Sequence, residues 1–160
     1  MCKHTARRYA GVMSTLFLDD LTVGQRFTTR THTMDAAEIT RFAAAYDPQP
    51  FHLDDAAARE TLFGGLVASG WHTACTSMRL MVDGGLPLAG GIIGSGGELL
   101  WTNPVRPGDT LHVECEILDI VPSRSKPDRG TVVVRCLTKN QNDETVQSFT
   151  PKLVLMRRPA

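Results

Sequence analysis

The chain has 160 residues, 42% of them hydrophobic, and its 17 basic and 17 acidic side chains cancel at pH 7. That length suits one domain whose core buries about two-thirds of the unfolded chain's surface, and zero net charge removes the electrostatic case for nucleic acid or an anionic membrane as partner, which points to a small ligand. No apolar run approaches the ~20 residues of a membrane span, and the basic start is not followed by a signal-type apolar stretch, so a cytoplasmic protein is expected.

Residues 1–12 carry Lys3, His4, Arg7 and Arg8 with no helical or strand periodicity. They are expected to form a tail outside a domain spanning 13–160. Residues 25–33 are threonine-rich with Phe27 among few apolar positions, which predicts the first full strand, near a sheet edge. Asp35-Ala36-Ala37-Glu38 has the spacing of a capping box and opens a helix. Its apolar stripe is Ile39, Phe42, Ala43 and Tyr46, and Pro48 stops it near Asp47. The negative end of that helix is expected to raise the Asp47 carboxyl pKa.

In Asp47-Pro48-Gln49-Pro50-Phe51-His52 each proline fixes its own φ and pushes the residue before it into extended conformation. The result is a stiff loop that fixes a carboxylate and an imidazole at a short separation. Such a pair serves turns and caps as well as acid–base chemistry, and local pattern alone leaves both open. Asp54 or Asp55 then caps a second short helix, which ends near Gly64-Gly65.

Residues 66–82 are mostly apolar or small, with only Arg79 charged, and predict a third, mostly buried helix closed by Asp83-Gly84-Gly85. His72 and Cys75 lie within it without a second ligand cluster, so no metal is implied and His72 reads as a satisfied core histidine. Cys75, Cys115 and Cys136 sit among apolar neighbours without paired spacing and read, like Cys2, as free thiols, the last three buried. Strands follow at 92–101, at 111–117 with Leu111, Val113, Cys115 and Ile117 on one face, at 132–136 with Val132, Val134 and Cys136 on one face, and at 145–156. Helices followed by successive antiparallel strands indicate an α+β fold, one helix covered by a curved sheet.

Three ordered motifs carry more: Asp47-x-Gln49-Pro50-x-His52-x-Asp54, Phe63-Gly64-Gly65-Leu66-Val67-Ala68-Ser69-Gly70, and Pro104-Val105-x-Pro107-Gly108-Asp109. Together they resemble the MaoC-like dehydratases, or (R)-specific enoyl-CoA hydratases, of the hot-dog fold. The resemblance implies a single hot-dog domain, a homodimer or higher oligomer, and a small-molecule acyl thioester as substrate, with coenzyme A present only as part of that substrate and no other cofactor. It implies that Asp47 and His52 hold one water and exchange protons with it, and that the Gly70 N–H donates to the thioester carbonyl. Gln49, Phe51, Ser69 and Trp71 become candidate substrate contacts, Ser69 being equally suited to capping the helix.

Arg124, with Arg106, Lys126 and Arg129, offers charge for coenzyme A phosphates, although a solvated hairpin loop is charged for no such reason. Two departures stand out: Gln49 replaces the family's usual asparagine, and Tyr46 its usual glycine. They keep open a catalytically weak thioester-binding or assembly subunit. A hot-dog thioesterase is a further alternative, but residues 66–82 contain no Asp or Glu to serve it.

Overall fold

The computed structural model describes residues 15–159, and the expected tail at 1–12, with Cys2, lies outside them. After a 3₁₀ turn at Leu18–Asp20, the chain forms β1 (Arg26–Thr28), β2 (His32–Thr33), α1 (Ala36–Tyr46), α2 (Pro50–Leu53), α3 (Asp55–Arg59) and α4 (Gly70–Leu80). Four long strands complete it: β3 (Ile93–Trp101), β4 (Thr110–Pro122), β5 (Arg129–Lys139) and β6 (Thr145–Met156). The sheet is antiparallel in the order β1-β4-β5-β6-β3, with β2 also on β4, and irregularities at Gly94/Gly96 and Ile117/Asp119 help it curve around α4. This is the α+β hot-dog arrangement.

The alternating face of β4 is buried as its pattern requires: Leu111, Val113, Cys115 and Ile117 are at most 1% exposed. Val113, Cys115 and Ile117, with Val132, Val134, Cys136, Leu153 and Leu155, pack against Leu80 and Met81 at the carboxyl end of α4, while Leu111 joins a second cluster with Met34, Ile39 and Val105. Burial of this apolar area is the main force holding helix to sheet.

Several expectations change. The strand expected over 25–33 is two short pieces, because Thr29 interrupts it: its hydroxyl, not a backbone carbonyl, accepts the Val113 N–H at 2.9 Å. The helix expected over 66–82 begins only at Gly70, since Val67 and Ala68 donate their N–H groups to the carbonyls of Phe51 and Val105 and are held extended. Beyond Leu80 the chain passes into a wider turn, Met81–Gly85. Helix α4 is half-buried rather than mostly buried: His72, Thr73, Ser77 and Leu80 face inward while Trp71, Cys75 and Arg79 face out. Cys75 is therefore an exposed thiol, and among the described cysteines only Cys115 and Cys136 are buried. His72 is buried and stacked on Phe42, but its Nδ1 has no hydrogen-bond partner, so it is not the satisfied histidine expected; burial lowers its pKa.

Candidate active site

Helix α1 begins with the capping box, Asp35 Oδ1 accepting the Glu38 N–H at 2.7 Å, and ends where Asp47 donates its N–H to the Ala43 carbonyl. Gln49 is extended (φ −86°, ψ 143°), as its position before proline requires. The segment is not loop throughout, however. Pro50 takes the first position of the one-turn helix α2, where no N–H is needed, and this turn carries His52 back toward Asp47.

Asp47 Oδ2 lies 3.4 Å from His52 Nε2. The other imidazole nitrogen, Nδ1, is 2.8 Å from the Val67 carbonyl, which can only accept. The proton therefore belongs on Nδ1, and Nε2 turns a lone pair toward the carboxylate. A water placed beside two acceptors at this separation donates one hydrogen to each, at about 2.8 Å, and keeps its own lone pairs free. The extended Val67 backbone thus fixes the tautomer.

The carboxylate is anchored on both oxygens. Ser69 Oγ donates to Oδ2 at 2.6 Å, and Gln49 Nε2 donates to Oδ1 at 2.7 Å. The Ser69 bond, and then that of Gln49, hold the Asp47 pKa below the ordinary aspartate value against the opposing effect of partial burial. This reverses the expectation from the helix end: hydroxyl and amide donors aimed at the charged form outweigh the α1 dipole.

Ser69 is fully buried and also accepts the Trp71 N–H at 3.2 Å, so one side chain caps α4 and grips Asp47. It stands behind the carboxylate and does not line the cleft. Ser69→Ala is expected to raise the Asp47 pKa, to cost about 1 kcal/mol through the lost cap and to slow turnover on the order of tenfold. An NMR titration of the Asp47 carboxyl in wild type and variant measures the first effect; an unchanged midpoint refutes the role.

Gly70 opens α4, so its N–H is among those an α-helix leaves without an intrahelical acceptor. It borders a cleft of about 510 Å³ shared with Asp47, Gln49, Phe51, His52 and Trp71. Six of the eight expected site residues therefore meet at one place. Arg124 does not: it lies between β4 and β5, outside this cleft, and Arg129 in the same hairpin is paired with Asp128. The pattern missed further lining residues, Thr73, Phe63 and above all Trp101, whose ring stands edge-to-face with Trp71 at 5.2 Å. Its one signal was a tryptophan ending a strand.

Away from the cleft, His112, Glu114 and Asp143 draw together in the manner of metal ligands. The Lys139 ammonium, 3.0 Å from Glu114 and 2.9 Å from Asp143, already supplies the positive charge there.

The family model of the MaoC like domain matches residues 20–140. The chain belongs to the MaoC-like domain family. The span that matches contains Asp47, His52, Gly70 and Trp101 and ends before β6. This MaoC-like domain is 59% identical to the MaoC-like dehydratase from Rhodospirillum rubrum, with a TM-score of 0.89 over 91% of this chain and 99% of that one. The unliganded R-hydratase PhaJ1 from Pseudomonas aeruginosa is 28% identical, with a TM-score of 0.72 over 90% of this chain and 88% of that one. The protein YdeM of Bacillus subtilis (strain 168) is 35% identical over 145 residues, 88% of this chain and 99% of its own length.

Proposed function

We propose that this protein catalyses reversible hydration of a trans-2-enoyl thioester, carried by coenzyme A, to the 3-hydroxyacyl thioester. The observation that carries the reading is the pair of acceptors, Asp47 Oδ2 and His52 Nε2, 3.4 Å apart beside the free N–H at the start of α4. Kinship with a MaoC-like dehydratase and an R-hydratase supports it.

In the hydration direction both acceptors hold the water while its oxygen attacks the β-carbon. Of the two, His52 Nε2 takes the proton, because Ser69 and Gln49 already stabilise Asp47 as the anion. The imidazolium so formed faces the Asp47 carboxylate, which offsets its charge. Electrons pushed through the double bond reach the carbonyl oxygen, to which the Gly70 N–H donates, and as the enolate collapses Nε2 returns its proton to the α-carbon. Atoms balance without redox change, and no cofactor is required beyond the coenzyme A of the substrate. We place the protein in the cytoplasm as a homodimer.

The test is the loss of enoyl absorbance from crotonyl-CoA and longer trans-2-enoyl-CoA substrates, with Asp47→Asn as control. Turnover by wild type alone is the expected result. Thermal stabilisation by acyl-CoA without turnover would turn the assignment to a binding subunit, and release of free coenzyme A would turn it to a thioesterase.

A further inference from the structure

Trp101 is the last residue of the edge strand β3 and is 45% exposed, so backbone pairing and burial do not by themselves fix its ring. A specific bond does. Its Nε1–H donates to Gln147 Oε1 at 3.1 Å, across a directly paired position of β3 and β6. Gln147 is 2% exposed, and an amide so buried is costly unless its polar atoms are used. Its Nε2 donates to Ser77 Oγ at 3.3 Å, and Ser77 is bonded in turn to Thr138 and to the Thr73 carbonyl. A line of hydrogen bonds therefore runs from the cleft wall to the inner face of α4.

The ring it holds lies against Gly70. A Cβ placed on Gly70 would come within 2.6 Å of Trp101 Cε2 and 2.7 Å of Cδ2. These are the two bridgehead carbons of the indole, so the ring turns its middle toward the Gly70 backbone. A carbonyl accepting from the Gly70 N–H at about 2.9 Å must then enter beside that indole.

We propose that Gln147 is a positioning residue, holding the Trp101 indole over Gly70 and so setting the width of the cleft where the thioester carbonyl enters. Only the kinetic consequence rests on the hydratase reading. The placement of the ring is a property of the protein without substrate.

Gln147→Met keeps the length of the side chain and removes both polar atoms. Trp71 and Trp101 are the only 2 tryptophans in the chain, so in a Trp71→Phe background the emission reports Trp101 alone. In the absence of ligand, Gln147→Met is expected to shift that emission to the red and increase its quenching by acrylamide, while Gln147→Glu, which retains an acceptor for the indole N–H, restores both. Unchanged emission and quenching in a folded Gln147→Met protein overturn the proposal. If Gln147→Met does not fold, Gln147→Glu decides: wild-type emission supports the bond, and the emission of a released indole overturns it.

With enoyl-CoA, Gln147→Met is expected to lower kcat about tenfold, the equivalent of one buried hydrogen bond, with little change in KM. The same substitution in a Trp101→Phe background, where no indole N–H remains, is expected to have no further effect on kcat. A full tenfold loss in that background would mean that Gln147 acts through Ser77 and Thr138 instead. Absence of turnover in wild type would refute the hydratase reading alone, and the emission measurements would still decide the placement of the ring.

Discussion

Asp47→Asn is expected to lower kcat for trans-2-enoyl-CoA by roughly 10²- to 10⁴-fold, with KM close to wild type. The substitution is nearly isosteric and an amide oxygen still accepts from Ser69, but the amide NH2 then faces the Gln49 Nε2 donor, so the loss combines the missing charge with one missing acceptor. What disappears is the anion 3.4 Å from His52 Nε2, which holds one hydrogen of the attacking water and faces the imidazolium formed as the proton moves. Stability carries a second signature. The folded-state pKa of Asp47 is depressed by Ser69 and Gln49, so its contribution is complete above the unfolded-state pKa and is lost as pH falls through the folded-state value. The stability advantage of wild type over Asp47→Asn, measured by urea unfolding, is expected to shrink on acidification across that window. A constant difference would mean that the carboxylate is not held by these donors.

What could be read in the sequence was local in origin. The capping box of Asp35 and Glu38, the arrest of α1 before Pro48, and the alternation along β4 and β5 each depend on neighbours a few residues apart, and each appears in the structure. Asp47, His52 and Gly70 were legible because three motifs resembled a family, while their partners were not. The pKa of Asp47 runs opposite to the local expectation because Ser69, 22 residues away, reaches its Oδ2. The extended stretch before Gly70 was hidden in an apolar run, where periodicity cannot separate a buried extended segment from a helix. Its bonds to Phe51 and Val105 decide the matter, and they also leave the Val67 carbonyl free to orient His52. Trp101 and Gln147 meet only through strand pairing and leave no mark on local pattern.

Gly70→Ala is the second substitution expected to have a large effect, about 10²- to 10³-fold in kcat/KM, the scale of one lost oxyanion donor, although it removes no polar atom. Two terms oppose each other in its stability. At a helix start alanine gains about 0.4–1 kcal/mol over glycine by restricting the unfolded chain. The new methyl meets the Trp101 bridgehead at 2.6 Å, and overpacking of that kind costs about 1–3 kcal/mol in a closed core. This site is not closed: Trp101 is half-exposed, so the ring can escape into the cleft by giving up its bond to Gln147. Escape relieves most of the steric cost, and the melting temperature is expected to fall by only a few degrees. The displaced indole then occupies the space through which the carbonyl must approach the Gly70 N–H, so function suffers far more than folding. Adding Trp101→Ala to Gly70→Ala empties that space, and kcat/KM for crotonyl-CoA should rise above that of Gly70→Ala alone. Equal rates in the single and double variants would locate the defect in the backbone of Gly70 itself and remove Trp101 from the account.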